Sequence, residues 1–335
     1  MKSIRISELK PGYILSQNVT KNATILLPEG TVLTSGDIER LENHSIREVY
    51  IYDESDFEEE KSIKIEFSNI ETIVEVEEYE KWTEQLERVK DITHLKENPE
   101  EIDEIADNIY KKFMKKDDIV LNLFRAIGDE SLSSHSINTA IISSVISTRL
   151  KMPEVFTQQL VKASLLHDIG YNFLEKRVIF DYENLENKEI KLHVISGYKV
   201  MKSLEDMLSK EIINAILQHH ERYDGTGIIM HLQNENINPF SRILQIGDAY
   251  DSYVESGKTP YESMSYLLKN SGKIFDPYYV STFFSIVGLY PTGTKVLLNN
   301  GEVGVVIKKG NAAVFPIITI DNKIVETGPE SGLFI

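Results

Sequence analysis

Histidine and aspartate side chains of the kind that bind metals recur through the middle of the chain. Five of the eight histidines and two aspartates fall within or at the ends of predicted helices. They are His135, His167, Asp168, His193, His219, His220 and Asp248. Imidazole nitrogens and carboxylate oxygens, without thiolates, suit borderline divalent ions such as iron, manganese or zinc. A lone histidine is more often a surface or core residue, and His44, His94 and His231 are assigned to that class. The ordered set of seven instead predicts one or two bound metal ions.

Two adjacent pairs of these residues stand at predicted helix ends. His167-Asp168 lie just before Gly170, and His219-His220 close a later predicted helix. Neighbouring residues on a helix point about 100° apart. Near a helix end both side chains can still converge on one or two ions, and Gly170 can supply such an end. One carboxylate bridging two ions about 3.5–4 Å apart would give the two-metal arrangement that hydrolyses phosphodiesters.

With these residues in order, the chain resembles the HD-GYP family, a branch of the HD-domain metal-dependent phosphohydrolases. The resemblance covers about residues 100–290 and rests on the order and spacing of six motifs. They are His135-Ser136-Ile137-Asn138, Leu166-His167-Asp168-Ile169-Gly170, His193 followed by Gly197-Tyr198, His219-His220-Glu221-Arg222-Tyr223-Asp224-Gly225-Thr226-Gly227, Ile246-Gly247-Asp248-Ala249-Tyr250-Asp251, and Phe275-Asp276-Pro277. The leading Leu9-Lys10-Pro11-Gly12 unit and a β-rich tail also resemble parts that accompany this family.

The resemblance implies a fold, a substrate and a set of roles. The expected fold is mainly α, an HD-domain helical bundle with a small α/β N-terminal domain and a short β-rich C-terminal part. The expected activity is hydrolysis of the cyclic dinucleotide c-di-GMP in bacterial second-messenger signalling. All seven residues of the set would be metal ligands for two divalent ions, with iron or manganese favoured and zinc also suitable. Asp168 would bridge the ions, and a metal-bridging hydroxide would attack the phosphorus in line. The candidate catalytic residues are Asp168, His167 and Tyr171. The candidate substrate-binding residues are Asp224, Gly225, Thr226, Gly227 and Lys258.

The chain departs from the family pattern around the substrate rather than around the metal. Tyr171 stands where active members usually have a lysine that can stabilise phosphate charge. Ile228-Ile229 replace the Tyr-Pro of the family motif, and Thr259 and Glu262 stand where two arginines are common. Some members bind a third ion through a carboxylate that would here be Ser131. Glu130 is one step, about 100°, out of phase on a helix, and a two-metal site is therefore expected.

These departures leave three hypotheses open. The leading one is a phosphodiesterase acting on c-di-GMP or a related cyclic dinucleotide, with its activity weakened by the substitutions. The alternative is a signalling module that binds metal, nucleotide or a protein partner without efficient turnover. A third is a phosphohydrolase for another nucleotide or a phosphomonoester, since the metal cage is shared across substrates.

The elements that must position these residues divide the chain into four segments. Residues 1–52 are predicted to form a small α/β domain, with strands over 23–27, 31–33 and 48–52 and a turn at Pro28-Glu29-Gly30. Residues 53–99 are predicted to be an acidic linker, and 100–290 a helical metal-binding domain whose core begins at 120–124. Residues 291–335 are predicted to form a small β extension with a hairpin at Asn299-Asn300-Gly301.

Composition excludes several classes of protein. The chain has 335 residues, no cysteine and a net charge of −17. The absence of cysteine excludes disulfides, thiolate zinc sites and iron–sulfur clusters. Residues 53–104 hold 20 acidic and six basic residues. Most of the negative charge therefore lies outside the candidate ligand segments. Long nucleic acids and membrane surfaces are poor partners for such a chain.

The sequence also gives expectations for location and assembly. No apolar run long enough to span a membrane and no signal-like N-terminus is found, so a cytoplasmic protein is expected. Beside the cyclic dinucleotide substrate, a homodimer or a signalling-protein partner would be compatible with the sequence. The segment 102–113 would suit a dimer contact or packing within one chain.

Overall fold

The computed structural model describes residues 2–9, 15, 19–21, 24–27, 33, 35–44, 46–51, 74–114, 131–175, 188–321 and 323–335. The chain divides into two compact units, residues Met1–Asn69 and Ile70–Ile335. In the part described, eleven α-helices dominate and the strands form small sheets. The predicted fold class, mainly α with small β-containing parts at both ends, is confirmed.

The first unit is a small α/β structure. Strand β1 (Lys2–Arg5) pairs antiparallel with β4 (Glu48–Ile51), and β2 (Val19–Lys21) pairs with β3 (Thr24–Leu27). Helix α1 (Ser35–Asn43) lies between β3 and β4 in sequence. Strand β3 pairs with β2, which precedes it in the chain. The predicted turn at Pro28-Glu29-Gly30 and most of the predicted strand 31–33 lie outside the described residues.

The second half of the predicted acidic linker is helical, which corrects the prediction for residues 76–97. Helices α2 (Val76–Val89) and α3 (Ile92–Glu97) form there. Tyr79, Trp82 and Leu86 are at most 7% exposed and belong to the main hydrophobic core. They recur three and four residues apart, which places them on one helix face while the acidic residues occupy the other. The negative charge of this segment therefore marks the solvent side of an amphipathic helix. Residues 53–73 lie outside the described part.

In the described residues, the helical core continues through eight further helices after α3. They are α4 (Glu100–Phe113), α5 (Leu132–Arg149), α6 (Glu154–Leu166), α7 (Lys188–Lys202), α8 (Lys210–Gln218), α9 (Pro239–Glu255), α10 (Pro260–Lys269) and α11 (Pro277–Val287). A short 3-10 helix, Ile169–Phe173, follows α6. Helix α5 is central, since every residue from 133 to 147 is buried, and it contacts α2, α4, α6, α9 and α11. The predicted core start at 120–124 lies outside the described residues.

Helix α4 settles the two alternatives for segment 102–113. Ile102, Ile105, Ala106, Ile109 and Phe113 are all at most 2% exposed. They lie in the same hydrophobic core as the residues of α5 and α6. The apolar face of this helix is therefore used within the chain.

The C-terminal residues form a four-stranded antiparallel meander, as predicted. Its strands are β5 (Lys295–Leu297), β6 (Val303–Ala312), β7 (Phe315–Ile320) and β8 (Lys323–Glu326). The β5–β6 hairpin turns at Gly301, whose φ of +87° favours glycine. Strand β6 is the longest of the four and runs to residue 312. The sheet is tied to the end of α11, where Leu289 N donates to Ala313 O at 2.8 Å.

Candidate metal centre

Five helices bring the seven predicted ligands to one place. His135 lies in the first turn of α5, His193 in α7 and Asp248 in α9. The pairs His167-Asp168 and His219-His220 directly follow the last residues of α6 and α8. All seven residues are at most 6% exposed. The cluster therefore lies inside the helical bundle, where polar side chains need partners.

The two helix-end histidines are held in the same way. His167 and His219 are the C-cap residues of α6 and α8. Each donates from Nδ1 to a backbone carbonyl three residues earlier, to Ser164 O and Ile216 O, both at 2.7 Å. A carbonyl can only accept, so this bond places the proton on Nδ1. The lone pair of Nε2 then points away from the helix and is left to bind a cation.

Asp168 lies between two groups of histidines. Its Oδ1 is 3.4 Å from His193 Nε2 and 3.7 Å from His219 Nε2. Its Oδ2 is 3.5 Å from His167 Nε2 and 3.8 Å from His135 Nε2. Each carboxylate oxygen therefore faces its own set of nitrogens. A carboxylate placed in this way could contact two cations, one through each oxygen.

Asp248 approaches the same cluster from α9. Its Oδ1 lies 3.3 Å from His135 Nε2, and its Oδ2 lies 3.9 Å from His220 Nδ1. Ser252, one turn later, donates from Oγ to Asp248 Oδ1 at 3.2 Å. Asp248 thus lies beside His135 and His220, which come from two different helical segments.

For five of the seven residues, namely Asp168, His193, His219, His220 and Asp248, the surroundings favour the unprotonated form. Burial lowers the pKa of His219 to about 3 and also lowers the pKa values of His193 and His220. Burial alone would raise the pKa of Asp168, but His167, His193 and His135 hold it at about 2. The pKa of Asp248 is likewise held well below its usual value, despite burial, by the neighbouring imidazoles of His135, His167 and His220. Neutral imidazoles and ionised carboxylates are the forms that bind metal.

The residues present fit bound divalent metal, because two overlapping groups of donors share Asp168. Ligand atoms of Asp168, His193, His219 and His220 lie within 4.8 Å of one another, and so do those of His135, His167 and Asp168. The buried Nε2 of His167 has no hydrogen-bond partner among the described residues. A buried polar atom without a partner is costly, and a cation beside Asp168 would satisfy it. The nitrogen and oxygen donors suit iron, manganese or zinc.

Tyr171 and Gly170 shape the protein side of the centre. The Tyr171 ring is 6% exposed and stacks on the His193 imidazole, with centroids 4.2 Å apart and planes 13° apart. Gly170 does not end helix α6 as predicted, because it lies within the following 3-10 helix. A Cβ at Gly170 would lie 1.8 Å from His193 O. Glycine is needed there because the turn carrying Asp168 touches the backbone of α7.

The predicted substrate-binding loop is held mainly by local bonds. Asp224 accepts from Thr226 N at 2.9 Å and Thr226 Oγ1 at 2.6 Å. Gly225 has a φ of +84°. A Cβ at Gly227 would lie 2.5 Å from Glu221 Cα. These residues therefore form a tight turn, and the structure gives them a loop-shaping role.

Glu221 is a residue whose role sequence reasoning missed. It is 1% exposed, and its carboxylate accepts from the backbone N of Ile229, Met230 and Leu232 at 3.1, 2.6 and 2.9 Å. This binds the loop containing the substituted Ile228-Ile229 to the end of α8, next to His219 and His220. Its position directly after two candidate ligands was the available signal.

The two positions where arginine is common have a structural role instead. Thr259 and Glu262 form the capping box of α10: Thr259 Oγ1 accepts from Glu262 N at 3.2 Å, and Glu262 Oε2 accepts from Thr259 N at 2.8 Å. The adjacent Lys258 is exposed. Ser131 likewise caps a helix, accepting from Ser134 N at 3.1 Å, while Glu130 lies outside the described residues.

Comparisons with known proteins agree with this geometry. Residues 120–278 match the family model of the HD domain. The chain is 26% identical over 227 residues to a cyclic di-GMP phosphodiesterase of Pseudomonas aeruginosa, covering 65% of this chain and 54% of that protein. It is 26% identical over 211 residues to the cyclic di-GMP phosphodiesterase PdeB of Borreliella burgdorferi, covering 59% and 55%. The chain thus spans about half the length of the curated relatives it matches.

A solved structure matches the fold. An HDG"Y"P protein from Bdellovibrio bacteriovorus aligns with a TM-score of 0.51 and 20% identity, over 85% of this chain and 98% of that one. Within the described part, none of the helices combines the length and apolar character that a membrane span requires. Family model, relatives, fold and ordered motifs agree. Over residues 120–278 the helical unit of this chain therefore resembles the HD domain, with Gly227-Ile228-Ile229 in the place of the Gly-Tyr-Pro motif of the HD-GYP branch.

Proposed function

We propose that the chain is a metal-dependent phosphodiesterase that hydrolyses c-di-GMP or a related cyclic dinucleotide. The observation that carries the proposal is Asp168, whose two oxygens face separate groups of buried histidine nitrogens. His135, His167, Asp168, His193, His219, His220 and Asp248 would hold two divalent ions. When bound, such ions lower the pKa of a water molecule and offset the charge of a phosphodiester. Hydrolysis of one phosphodiester consumes one water and yields a linear dinucleotide.

Charge supports a small, doubly negative substrate. Asp168 and Asp248 are the carboxylates among the proposed ligands, so two divalent ions leave the cluster with a net positive charge. The names of the curated relatives support a cyclic dinucleotide in particular. Because the chain spans only about half of their length, the substrate is part of the proposal.

We include Lys90 and Phe173 in the proposed substrate site. Lys90 follows α2, is 6% exposed, and lines a cavity of about 420 Å³ with Asn172 and Phe173. Asn172 Nδ2 donates to Lys90 O at 3.0 Å, which ties this lysine to the 3-10 turn that follows Asp168. The half-exposed Phe173 ring offers a stacking face for a base. Lys90 Nζ pairs with Glu87 Oε1 at 3.2 Å at the edge of this cavity, and on exchanging that carboxylate for a phosphate it would supply the positive charge that Tyr171 cannot.

A turnover assay with measured metal content tests the proposal. Protein purified without oxygen and loaded with iron or manganese should bind two ions and convert c-di-GMP or 3′3′-cGAMP to a linear product, followed by chromatography. Asp168→Asn should lose bound metal and turnover, while Asp206→Asn, at an exposed aspartate, should keep both. A wild-type protein that holds two ions and converts neither dinucleotide would overturn the proposed activity.

The second candidate is a module that binds metal, nucleotide or a protein partner without efficient turnover. Its supporting observation is that Thr259 and Glu262 bond to each other, so neither supplies positive charge to a phosphate. Equilibrium dialysis with c-di-GMP separates the two candidates. Tight binding with no product would favour the module, and turnover of other nucleotides in a panel would favour a different phosphohydrolase.

A further inference from the structure

A chain of buried hydrogen bonds leads away from the metal centre on the side of His135. The Nε2 of His135 faces Asp248 and Asp168, as described above. Its Nδ1 lies 2.8 Å from Asp251 Oδ2. Asp251 is 1% exposed and lies three residues after Asp248 on α9. An ionised carboxylate only accepts, so His135 donates from Nδ1 and keeps the Nε2 lone pair for the centre.

The chain continues from Asp251 to a tyrosine on helix α2. Asn138, fully buried one turn after His135, donates from Nδ2 to Asp251 Oδ1 at 2.8 Å. Asn138 Oδ1 accepts from Tyr79 OH at 3.1 Å, and Tyr79 OH also lies 3.2 Å from Ser134 O. This orientation of the Asn138 amide suits both neighbours. The Asp251 carboxylate can only accept from the amide nitrogen, and the Tyr79 hydroxyl donates to the amide oxygen. Both oxygens of Asp251 are thus engaged.

A third ion between His135, Asp251 and Glu255 is the competing interpretation, because their ligand atoms lie within 4.8 Å of one another. The 2.8 Å separation of His135 Nδ1 and Asp251 Oδ2 argues against it. That is the length of a direct hydrogen bond. Two ligands that each lie about 2.0–2.2 Å from one ion are normally farther apart than this. The carboxylate therefore bonds the imidazole itself.

We propose that Asp251, Asn138 and Tyr79 are positioning residues of the metal centre. Their hydrogen bonds hold His135 in the tautomer that presents Nε2 and fix the plane of its ring. This series of hydrogen bonds ends at Tyr79 on α2. Helix α2, in the segment predicted to be a linker, is therefore part of the site. The inference rests on the proposed function only in that the cluster binds divalent metal.

The tautomer makes Asp251→Asn a sharp test. With Asn138 still donating to the retained oxygen, the new amide nitrogen faces His135 Nδ1. The amide nitrogen can only donate, so His135 Nδ1 must accept. The imidazole proton then moves to Nε2, and Nε2 can no longer bind a metal ion. We expect divalent metal affinity to fall about 10- to 100-fold, the usual effect of losing such a partner. The measurement is chelator competition with zinc or manganese on the full chain.

Asp276→Asn is the matched control for a buried aspartate. Asp276 is 4% exposed, accepts from Arg242 Nη1 at 2.6 Å and caps α11. This variant should lower the thermal midpoint while metal affinity stays within twofold of wild type. If Asp251→Asn and Asp276→Asn lose stability alike and both keep wild-type metal affinity, Asp251 has only a structural role and the proposal fails.

Tyr79→Phe tests the hydrogen bond farthest from His135 in this series. Removing one hydrogen bond should lower metal affinity about two- to tenfold. Tyr110→Phe, at a tyrosine of similar burial on α4, should not change it. In the double variant with Asp251→Asn, the effect of Tyr79→Phe should disappear, because His135 is already held in the other tautomer. Additive effects in the double variant, or equal effects of the two phenylalanine variants, would overturn the role of Tyr79.

Nitrogen-15 NMR of the imidazoles gives a readout that needs neither metal nor substrate. In metal-free wild-type protein, His135 should carry its proton on Nδ1, and in Asp251→Asn it should carry it on Nε2. A wild-type protein that binds no metal would refute the proposed function while this comparison still decides the inference. The same tautomer in both proteins would contradict it.

Discussion

Gly170→Ala is the substitution whose consequence can be worked out most directly from the geometry. An added Cβ would lie 1.8 Å from His193 O, 2.6 Å from His193 C and 2.8 Å from Gly197 N. All three atoms belong to the backbone of α7, so no side chain can rotate out of the way. The 3-10 turn carrying Asp168 and the helix carrying His193 must therefore separate.

The size of that separation decides the outcome. Ordinary contact begins near 3.4 Å against the 1.8 Å found here, so the backbones must move apart by roughly 1.5 Å, whereas metal sites tolerate about ±0.2 Å in their bond lengths. The proposed site formed by Asp168, His193 and His219 would then be lost. Overpacking costs about 1–3 kcal/mol and sometimes more. With backbone on both sides, we expect about 3 kcal/mol, a fall of about 6–12 °C in Tm.

The assay combines calorimetry with elemental analysis of bound metal. Gly170→Ala should unfold at lower temperature and retain at most one ion per chain. Gly257→Ala is the control, because a Cβ there meets nothing within 4 Å although φ is +86°. Its left-handed backbone costs about 1–2 kcal/mol with a side chain present, so it should lose stability and keep its metal.

Two results would refute this reasoning. Gly170→Ala could bind two ions with wild-type affinity and melt within 2 °C of wild type, roughly the effect of less than 1 kcal/mol. Alternatively, it could lose no more metal than Gly257→Ala at equal loss of stability. Either result would show that the two backbones are not in the contact described.

Three further predictions follow from the same site. Because the pKa of folded His219 is lowered to about 3 from an ordinary value near 6.5, the unfolded chain binds an extra proton between these values. Urea unfolding of EDTA-treated protein should therefore show stability falling as pH falls below about 6.5, by at most about 1.4 kcal/mol per pH unit for each such histidine; a flat profile would contradict this. Tyr171→Phe should keep the stack on His193 and the metal affinity, while Tyr171→Ala should weaken binding in chelator competition. Lys90→Met should raise KM for the cyclic dinucleotide about tenfold or more with unchanged metal content, and the exposed Lys96→Met should not.

Local sequence information identified much of the site. Each donor type is a property of its side chain, so the candidate ligands were evident from residue type and order. The hairpin at Gly301 and the helix end at His219 also follow from local patterns. The Thr259–Glu262 capping box was equally local, yet the comparison with a family pattern drew attention to missing arginines and away from it.

Other features depend on contacts between distant parts of the chain. The acidic residues of α2 are typical of an exposed linker. Only the burial of Trp82 and Leu86 in the core shows that they form the solvent side of an amphipathic helix. Gly170 resembled a helix end, although its role is the close approach of α7.

By itself, the sequence determined which donors the protein has, the order in which the helices present them, and the family that they resemble. Only the tertiary structure decided which oxygen of Asp168 faces which nitrogens, and that Asp251, 116 residues away in the chain, bonds His135. The reason is physical. Donor chemistry belongs to individual side chains, whereas distances, burial and the tautomer of an imidazole are properties of the packed arrangement of several helices.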